Sequence, residues 1–554
     1  MSDTEPHPSL FAPFKHNIYR RVWIANLVTS FGGLIQMTGA SWMMTSISSS
    51  SQMVALVQAS TTLPIMLFAL LSGALSDNHN QRTIMLVANL FMLSVSALLV
   101  LSAFLGTITP WQLLAFTFLV GCGLALNIPA WQASVGNMVP RTELASAVLL
   151  NNVSFNLCRS VAPALGGMIL ALGGVIAAFS INAASYLGMI GVLWRWRPEQ
   201  PRRELPREQI GRAMWAGIRY VTMSPNILKI MMRGLLFGLA AVANLALLPL
   251  VARDLLHGGP MTYGFLLGFF GIGGMIGAFI SGRLRSAFSN ETITRGTFVT
   301  FALCATGLAL SRDLWLSNLS LVLGGASWVA ALSLFNVTVQ LSTPRWVLAR
   351  VLSIYLTALY AGLALGSWLW GNLADRYGTQ NALLISAALL IAGAAIGLLY
   401  DIPARSSLNL DPLHTKWAAP KIELDLKPSS GPVVIHVEYL IRPEDVPEFL
   451  SAMDERRRIR LRDGAQNWIL MRDMQNPQSW MMSYRLPTWV EYLRHYRRTT
   501  QADAEVEVRI LRLHQGAEKP KIQRLIERQT DWAIVSASDL HHLPPDRSRG
   551  PGLL

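Results

Sequence analysis

The sequence predicts an all-α polytopic membrane protein, with twelve transmembrane helices in two six-helix bundles, followed by a small α+β domain. Three observations lead there. Only 14% of the 554 residues are charged and the mean hydropathy is +0.37, whereas a soluble globular protein carries about 25% charged residues. Apolar stretches of about 20 residues, long enough to cross a hydrocarbon core, recur between Val22 and Tyr400. Beyond Pro403 the charge becomes dense, so the chain changes solvent there.

Each element follows in order. Residues 1–21 form a polar tail without the apolar core of a cleaved signal peptide, so the first span is expected to act as the insertion signal. Spans at 22–46, 54–76, 84–106, 111–139, 144–172 and 175–194 make the first bundle, 22–194. A linker, 195–226, carries Arg195, Arg197, Arg202, Arg203, Arg207, Arg212 and Arg219. Spans at 227–251, 263–282, 292–310, 314–341, 351–373 and 382–400 make the second bundle, 227–401. Two sets of six around a central path are the organisation of many transporters.

The loop charges orient the spans. Lys15, Arg20, Arg21, Arg82, Arg141, the linker arginines, Arg283, Arg285, Arg345 and Arg350 fall on one side. The opposite loops hold only Arg253, Arg312 and Arg376. Basic loops stay in the cytoplasm, so both termini are expected there, in a multi-pass protein of the cell (inner) membrane. The net charge of +14 then reflects cytoplasmic loops and not a nucleic-acid partner. Cys122, Cys158 and Cys304 sit in apolar stretches and imply no disulfide framework.

A Pro-bearing tether, 402–431, leads to a domain at 432–516 and a tail at 517–554. "VVIHVEYLI" alternates as a strand should, "QNWILMRDM" and "SWMMSYRL" read as two more strands, and "VEVRILRLH" as a last one. Amphipathic helices are expected at 442–464 and 488–506. The order strand–helix–strand–strand–helix–strand is ferredoxin-like.

Two motifs stand out among the spans. "SGALSDNHNQR" leaves the second span; Gly73 permits close helix contact, and Asp77 and Arg82 could latch one bundle to the other, or form an ordinary charged turn. "SVAPALGG" in the fifth span carries Pro163, Gly166 and Gly167, small residues and a bend suited to tight helix packing.

"GALSD…R" and "APALGG" resemble signature motifs of the major facilitator superfamily. The longer runs "MTGASWMMTS", "VALVQASTTLPIMLFALLSGALSD", "NIPAWQASVGNMVPRTELASAVLLNNVSFNLCRSVAPALGG" and "FSINAASYLG" resemble its bacterial transmembrane secretion effector branch, related to enterobactin exporters. The stretch from "GPVVIHVEYLI" to "NWILMRD" is similar to domains of the antibiotic-biosynthesis monooxygenase type. The resemblance implies the major facilitator fold and export of a siderophore, drug or secondary metabolite, with a C-terminal domain that regulates or pairs chains. The competing implication is an enzyme–transporter fusion whose C-terminal domain oxidises the exported compound. Two departures matter. The loop after Asp77 reads Asn-His-Asn-Gln before Arg82, so it has lost basic residues. A second acidic string, "GNLADRYG", lies on the opposite side, after the eleventh span.

The chain places Arg159 near the middle of the fifth span, where a charge costs about 2.5–3.5 kcal/mol on insertion scales. It is expected to face a wet path or a partner. Asn152, Asn156 and Arg159 recur at helical spacing, and with Gln36, Asn127, Asn182 and Trp42 they are the expected substrate path. Trp131, Trp328, Trp368 and Trp370 could stack on a substrate or simply pack. Carboxylates fall at loop edges, Asp77, Glu143, Asp254, Glu291, Asp313 and Asp375. A coupling proton would therefore titrate an edge group or the substrate. No catalytic residues, metal ligands or cofactor are expected, and no phosphate-binding GxxxxGK[ST] loop occurs. The expected partners are a small-molecule substrate, the lipid bilayer and a second copy of the chain through the C-terminal domain.

Overall fold

The computed structural model describes residues 11–78, 80–197, 210–344, 346–402, 422–516 and 518–527. The chain forms two compact units. The first is Met1–Met214, Asn226–Gln340 and Ala349–Arg405; the second is Trp215–Pro225, Leu341–Leu348 and Ser406–Leu554.

The first unit is helical, as hydrocarbon requires: backbone groups there must be paired within their own segment. Its helices are α1 (Asn17–Ile47), α2 (Ser51–Asn78), α3 (Gln81–Phe104), α4 (Pro110–Val135) and α5 (Leu144–Arg195). After α6 (Ile210–Thr222), which runs into the second unit, come α7 (Pro225–Ala246), α8 (Leu248–Leu250), α9 (Pro260–Ala287), α10 (Asn290–Leu310), α11 (Leu314–Leu341), α12 (Leu348–Tyr377) and α13 (Thr379–Ile396). Among the described residues, ten stretches are long and apolar enough to cross a bilayer, and one of them covers fifty residues, Ser146–Arg195.

That long stretch is two spans. Gly174 has φ 69° and ψ −174°, outside helical geometry. Ala147 and Leu150 share a buried cluster with Met189 and Leu193, so the chain reverses at Gly174. Only glycine takes this backbone conformation without steric cost. With α1, 31 residues long, the described residues hold twelve helical segments of spanning length, the number the sequence predicts.

The second unit contains a four-stranded antiparallel sheet in the order β2-β3-β1-β4. Its strands are β1 (Val433–Leu440), β2 (Gln466–Arg472), β3 (Ser479–Leu486) and β4 (Ile522–Ile526). α14 (Val446–Arg462) connects β1 to β2; α15 (Trp489–Arg497) and α16 (Gln501–Leu513) connect β3 to β4. This is the ferredoxin-like order. Val433, Ile435, Val437 and Tyr439 alternate into a core with Met482, Tyr484, Phe449 and Ile510. Two other segments of the unit join it through arginines. Arg462 lies over Tyr220 at 5.3 Å, Arg498 over Trp346 at 4.5 Å, and Arg219 donates to the Arg462 carbonyl at 3.2 Å.

Two sequence expectations need correction. "VEVRILRLH" is not a strand; it belongs to α16, and the last strand is β4, beyond the expected domain limit of 516. Val506, Ile510 and Leu513 are buried at helical spacing, and a Thr500–Asp503 capping box starts the helix. The apparent alternation concealed that period. The expected helix at 488–506 is likewise two helices, broken between Arg497 and Gln501.

Candidate functional site: an arginine between the bundles

Arg159 projects from the first limb of α5 towards the second bundle. Its guanidinium carbon lies 5.7 Å from the Trp328 ring centroid on α11 and 6.0 Å from that of Phe155, one turn away. Tyr360 on α12 lies within its electrostatic reach. Among the described residues no carboxylate pairs with it. A small cavity beside it is lined by Arg159, Ser160, Phe270, Gly271, Gly274 and Val329.

Trp328 is held rigidly. Phe237, Phe301 and Phe270 surround it with ring centroids 5.8, 5.9 and 6.3 Å away. Three aromatic neighbours fix the indole plane, so one face is presented to the cation.

Small residues bring the bundles together here. The Ser160 hydroxyl donates to the Gly271 carbonyl at 2.8 Å. A Cβ on Gly271 would lie 2.3 Å from the Ser160 Cα, and one on Gly167 would lie 2.6 Å from the Gly264 Cα. Gly166 meets Thr38 and Ile35 of α1 instead, where a Cβ would lie a tight 3.2 Å from the Thr38 Cβ and 3.3 Å from the Ile35 Cα. The Pro163 carbonyl stands 3.3 Å from where a Gly264 Cβ would be. The "APALGG" stretch therefore sits where α5 touches α1 on one side and α9 on the other.

The remaining sequence candidates fall elsewhere. Asn182 donates to the Gln36 side-chain oxygen at 2.5 Å, and Ser96 donates to the same atom at 3.3 Å, all buried inside the first bundle. Asn89 donates to Asn127 at 3.0 Å between α3 and α4. These polar groups bond to one another, while the Asn89 and Asn182 side-chain oxygens keep no hydrogen-bond partner among the described residues. Trp42 stacks on Tyr263 of α9 with centroids 6.2 Å apart, nearer the end remote from the linker. Arg82 donates to the carbonyls of Leu193 and Trp194 at 2.8 and 2.9 Å, capping the end of α5 within its own bundle. The side chains of Asn152, Asn156 and Asp77, and the surroundings of Gly73, lie outside the described residues.

Sequence reading missed Arg233. It sits in α7, is 4% exposed, and donates to Glu291 at 2.7 Å and to the Gly393 carbonyl. The other Glu291 oxygen accepts from the Ile402 amide at 3.0 Å. The pair ties α7, α10 and α13 together within the second bundle. Its signal was a cation and an acid in two apolar spans, 58 residues apart.

Two bundles of six membrane helices meeting around a polar, aromatic-lined contact define a membrane transporter of the major facilitator type. A family model described as transmembrane secretion effector matches residues 8–531, and the chain belongs to that family. It is 25% identical to the multidrug efflux pump Tap of Mycolicibacterium fortuitum over 389 residues, which cover 67% of this chain and 93% of Tap. It is 27% identical to the enterobactin exporter EntS of Shigella boydii over 313 residues, 55% of this chain and 72% of EntS. Among solved structures, a bacterial homologue of the human lysosomal transporter Spinster, inward-facing and unoccupied, superposes with a TM-score of 0.55 at 14% identity, covering 70% of this chain and 97% of that one. The nucleoside transporter NupG gives 0.52 at 13% identity, covering 69% and 98%.

Proposed function

We propose that this chain exports small amphipathic molecules, such as a siderophore, drug or secondary metabolite, from the cytoplasm by alternating access, and that Arg159 contacts the substrate. One observation carries the reading: the Arg159 guanidinium meets Trp328 across the bundle interface with no carboxylate partner among the described residues. A cation held there without a counter-charge favours a ligand bearing an anionic or carbonyl group. The fixed indole beside it favours an aromatic portion. Trp42, stacked on Tyr263, belongs to the same reading as a residue further along the path. The relatives named as a drug efflux pump and an enterobactin exporter support outward movement of such compounds.

The loop charges support an inner-membrane protein with both termini in the cytoplasm. A coupling proton and pairing of two chains through the ferredoxin-like domain belong to the same proposal. Neither the fold nor the relatives support the alternative in which that domain oxidises the exported compound.

The test is energised uptake into inverted membrane vesicles, using a panel of fluorescent aromatic anions and matched neutral analogues. Uptake of the anions, lost in Arg159→Ala with the protein still inserted, is expected. Uptake unchanged in that variant would overturn the assignment of Arg159.

A further inference from the structure

We infer that Asp375 is a positioning residue of the transport cycle, the latch that holds the bundles shut at the end remote from the linker; this rests on the alternating-access reading above.

At the linker end of the first unit, His16 meets Glu143 at 3.1 Å, Arg82 meets the end of α5, and Arg233 meets Glu291, each within one bundle. At the remote end, beside Arg253–Asp254 and Arg312–Gln380 within the second bundle, polar ties also cross between the bundles. Arg253 donates to the Thr45 carbonyl at 2.7 Å. Asp375, in the last turn of α12, accepts from the Ser51 amide at 2.5 Å, the Gln52 amide at 3.2 Å and the Ser50 hydroxyl at 2.7 Å.

The start of α2 depends on that carboxylate. The first amides of a helix have no partner within it. Here Ser51 and Gln52 give theirs to Asp375, and Met53 donates to the Ser50 hydroxyl at 3.3 Å. An N-terminal cap normally comes from the residue just before the helix. Here Ser50 gives that ordinary cap to Met53, while the Ser51 and Gln52 amides are taken by a residue 324 positions from Ser51, in the opposite bundle.

Asp375 breaks a local rule in order to do this. An acid in the last turn of a helix opposes that helix's own dipole, whereas the same acid at the start of another helix is favoured. A residue that is wrong for α12 and right for α2 is placed for the contact between them. Gly371, one turn earlier, allows the approach. A Cβ there would lie 2.8 Å from both the Gln52 Cα and the Ala55 Cβ. The acidic string "GNLADRYG" thereby gains a role. Opening the remote end must strip α2 of a cap that water replaces only in part, since bonds to an ionised group are stronger than neutral ones.

The test uses the full chain in lipid nanodiscs, with Cys122, Cys158 and Cys304 replaced by serine and spin labels at Thr107→Cys and Arg312→Cys, exposed positions at the remote end of each bundle. Asp375→Asn is expected to raise the ratio of long to short inter-label distances by ~10-fold, the scale of losing charge-assisted bonds. Gly371→Leu, which leaves the carboxylate in place, is expected to move it the same way, and Asp375→Glu to retain mostly short distances. Distances unmoved by both Asp375→Asn and Gly371→Leu would overturn the latch. If the distances respond while wild-type vesicles transport no substrate, the latch stands and the transport reading falls.

Discussion

Arg159 and Trp328 face each other across the two bundles, 5.7 Å from guanidinium carbon to ring centroid. The contact joins a cation that lipid disfavours to an indole fixed by three phenylalanines. A purely structural arginine would tolerate any replacement that keeps the bundles packed, whereas a ligand contact would not. We therefore expect Arg159→Lys to lose most transport of aromatic anions, because a point ammonium lacks the planar fork and its stacking. Trp328→Phe should weaken apparent affinity several-fold, and Trp328→Ala more. In a double-mutant cycle on transport, Arg159→Ala combined with Trp328→Ala should be far from additive. Additive losses would mean that the two residues act separately.

Gly167 meets Gly264 with no room for a side chain on either: a Cβ on one would lie within 2.7 Å of the other's Cα. Gly167→Ala should therefore destabilise the packed form by about 1–3 kcal/mol, the usual range for overpacking. Gly188 makes the control, since nothing lies within 4 Å of where its Cβ would be. Thermal unfolding in detergent should show a lower midpoint for Gly167→Ala and little change for Gly188→Ala. Equal shifts would remove Gly167 as an inter-bundle contact.

Arg233 and Glu291 form a buried pair, side chains 5% and 10% exposed. Removing one partner of such a pair typically costs about 3–5 kcal/mol, because the other is left charged and unpaired, while replacing both with apolar residues is often near neutral. Arg233→Met alone should lower the thermal midpoint sharply. Arg233→Met with Glu291→Leu should recover much of the loss. If the double variant is as unstable as the single one, the pair contributes more than charge compensation, through its bonds to Gly393 and Ile402.

How much of this was legible in the sequence depended on whether the controlling force acts locally. The twelve crossings were legible because hydrocarbon dictates a minimum apolar length residue by residue. Arg159 was legible for the same reason: a charge inside an apolar run stands out without any knowledge of contacts. Gln36 and Asn182 stood out as polar groups by the same logic, but that they are hydrogen-bond partners did not. That pairing is tertiary and leaves no trace in spacing. Arg233 and Glu291 escaped notice for the complementary reason, since Glu291 opens α10 and reads as a loop-edge acid until its distant partner is known. In the C-terminal domain, three strands were legible from alternation. The fourth was not, because Val506 to Leu513 alternates on paper while its buried residues follow a helical period.

His495 gives the second unit a pH dependence whose sign can be worked out. It is fully buried, and its Nε2 lies 2.8 Å from Arg460 Nη1, an arrangement that requires a neutral, accepting imidazole. Burial, then the charges of Arg460 and Arg498, hold its pKa well below the ordinary 6.5. In the unfolded chain the same residue titrates near the ordinary value. Below that pH the unfolded state therefore binds a proton that the folded state refuses, and stability falls as the pH drops. The slope approaches about 1.4 kcal/mol per pH unit from this one group and ends only when the pH reaches the depressed folded value. Burial pushes the carboxyl of Asp463 upward, against the pull of Arg462 at 2.9 Å, and this contributes the opposite sign at lower pH. The histidine term is therefore isolated by comparison with His495→Gln, whose amide oxygen can still accept from Arg460 but does not titrate. Hydrogen exchange of the β1 and β3 amides in the full chain, corrected for intrinsic rates, should show protection falling from pH 6.5 to 5 in the wild type. The same interval should be flatter in His495→Gln. Parallel pH profiles in the two proteins would show that His495 is not the group being titrated.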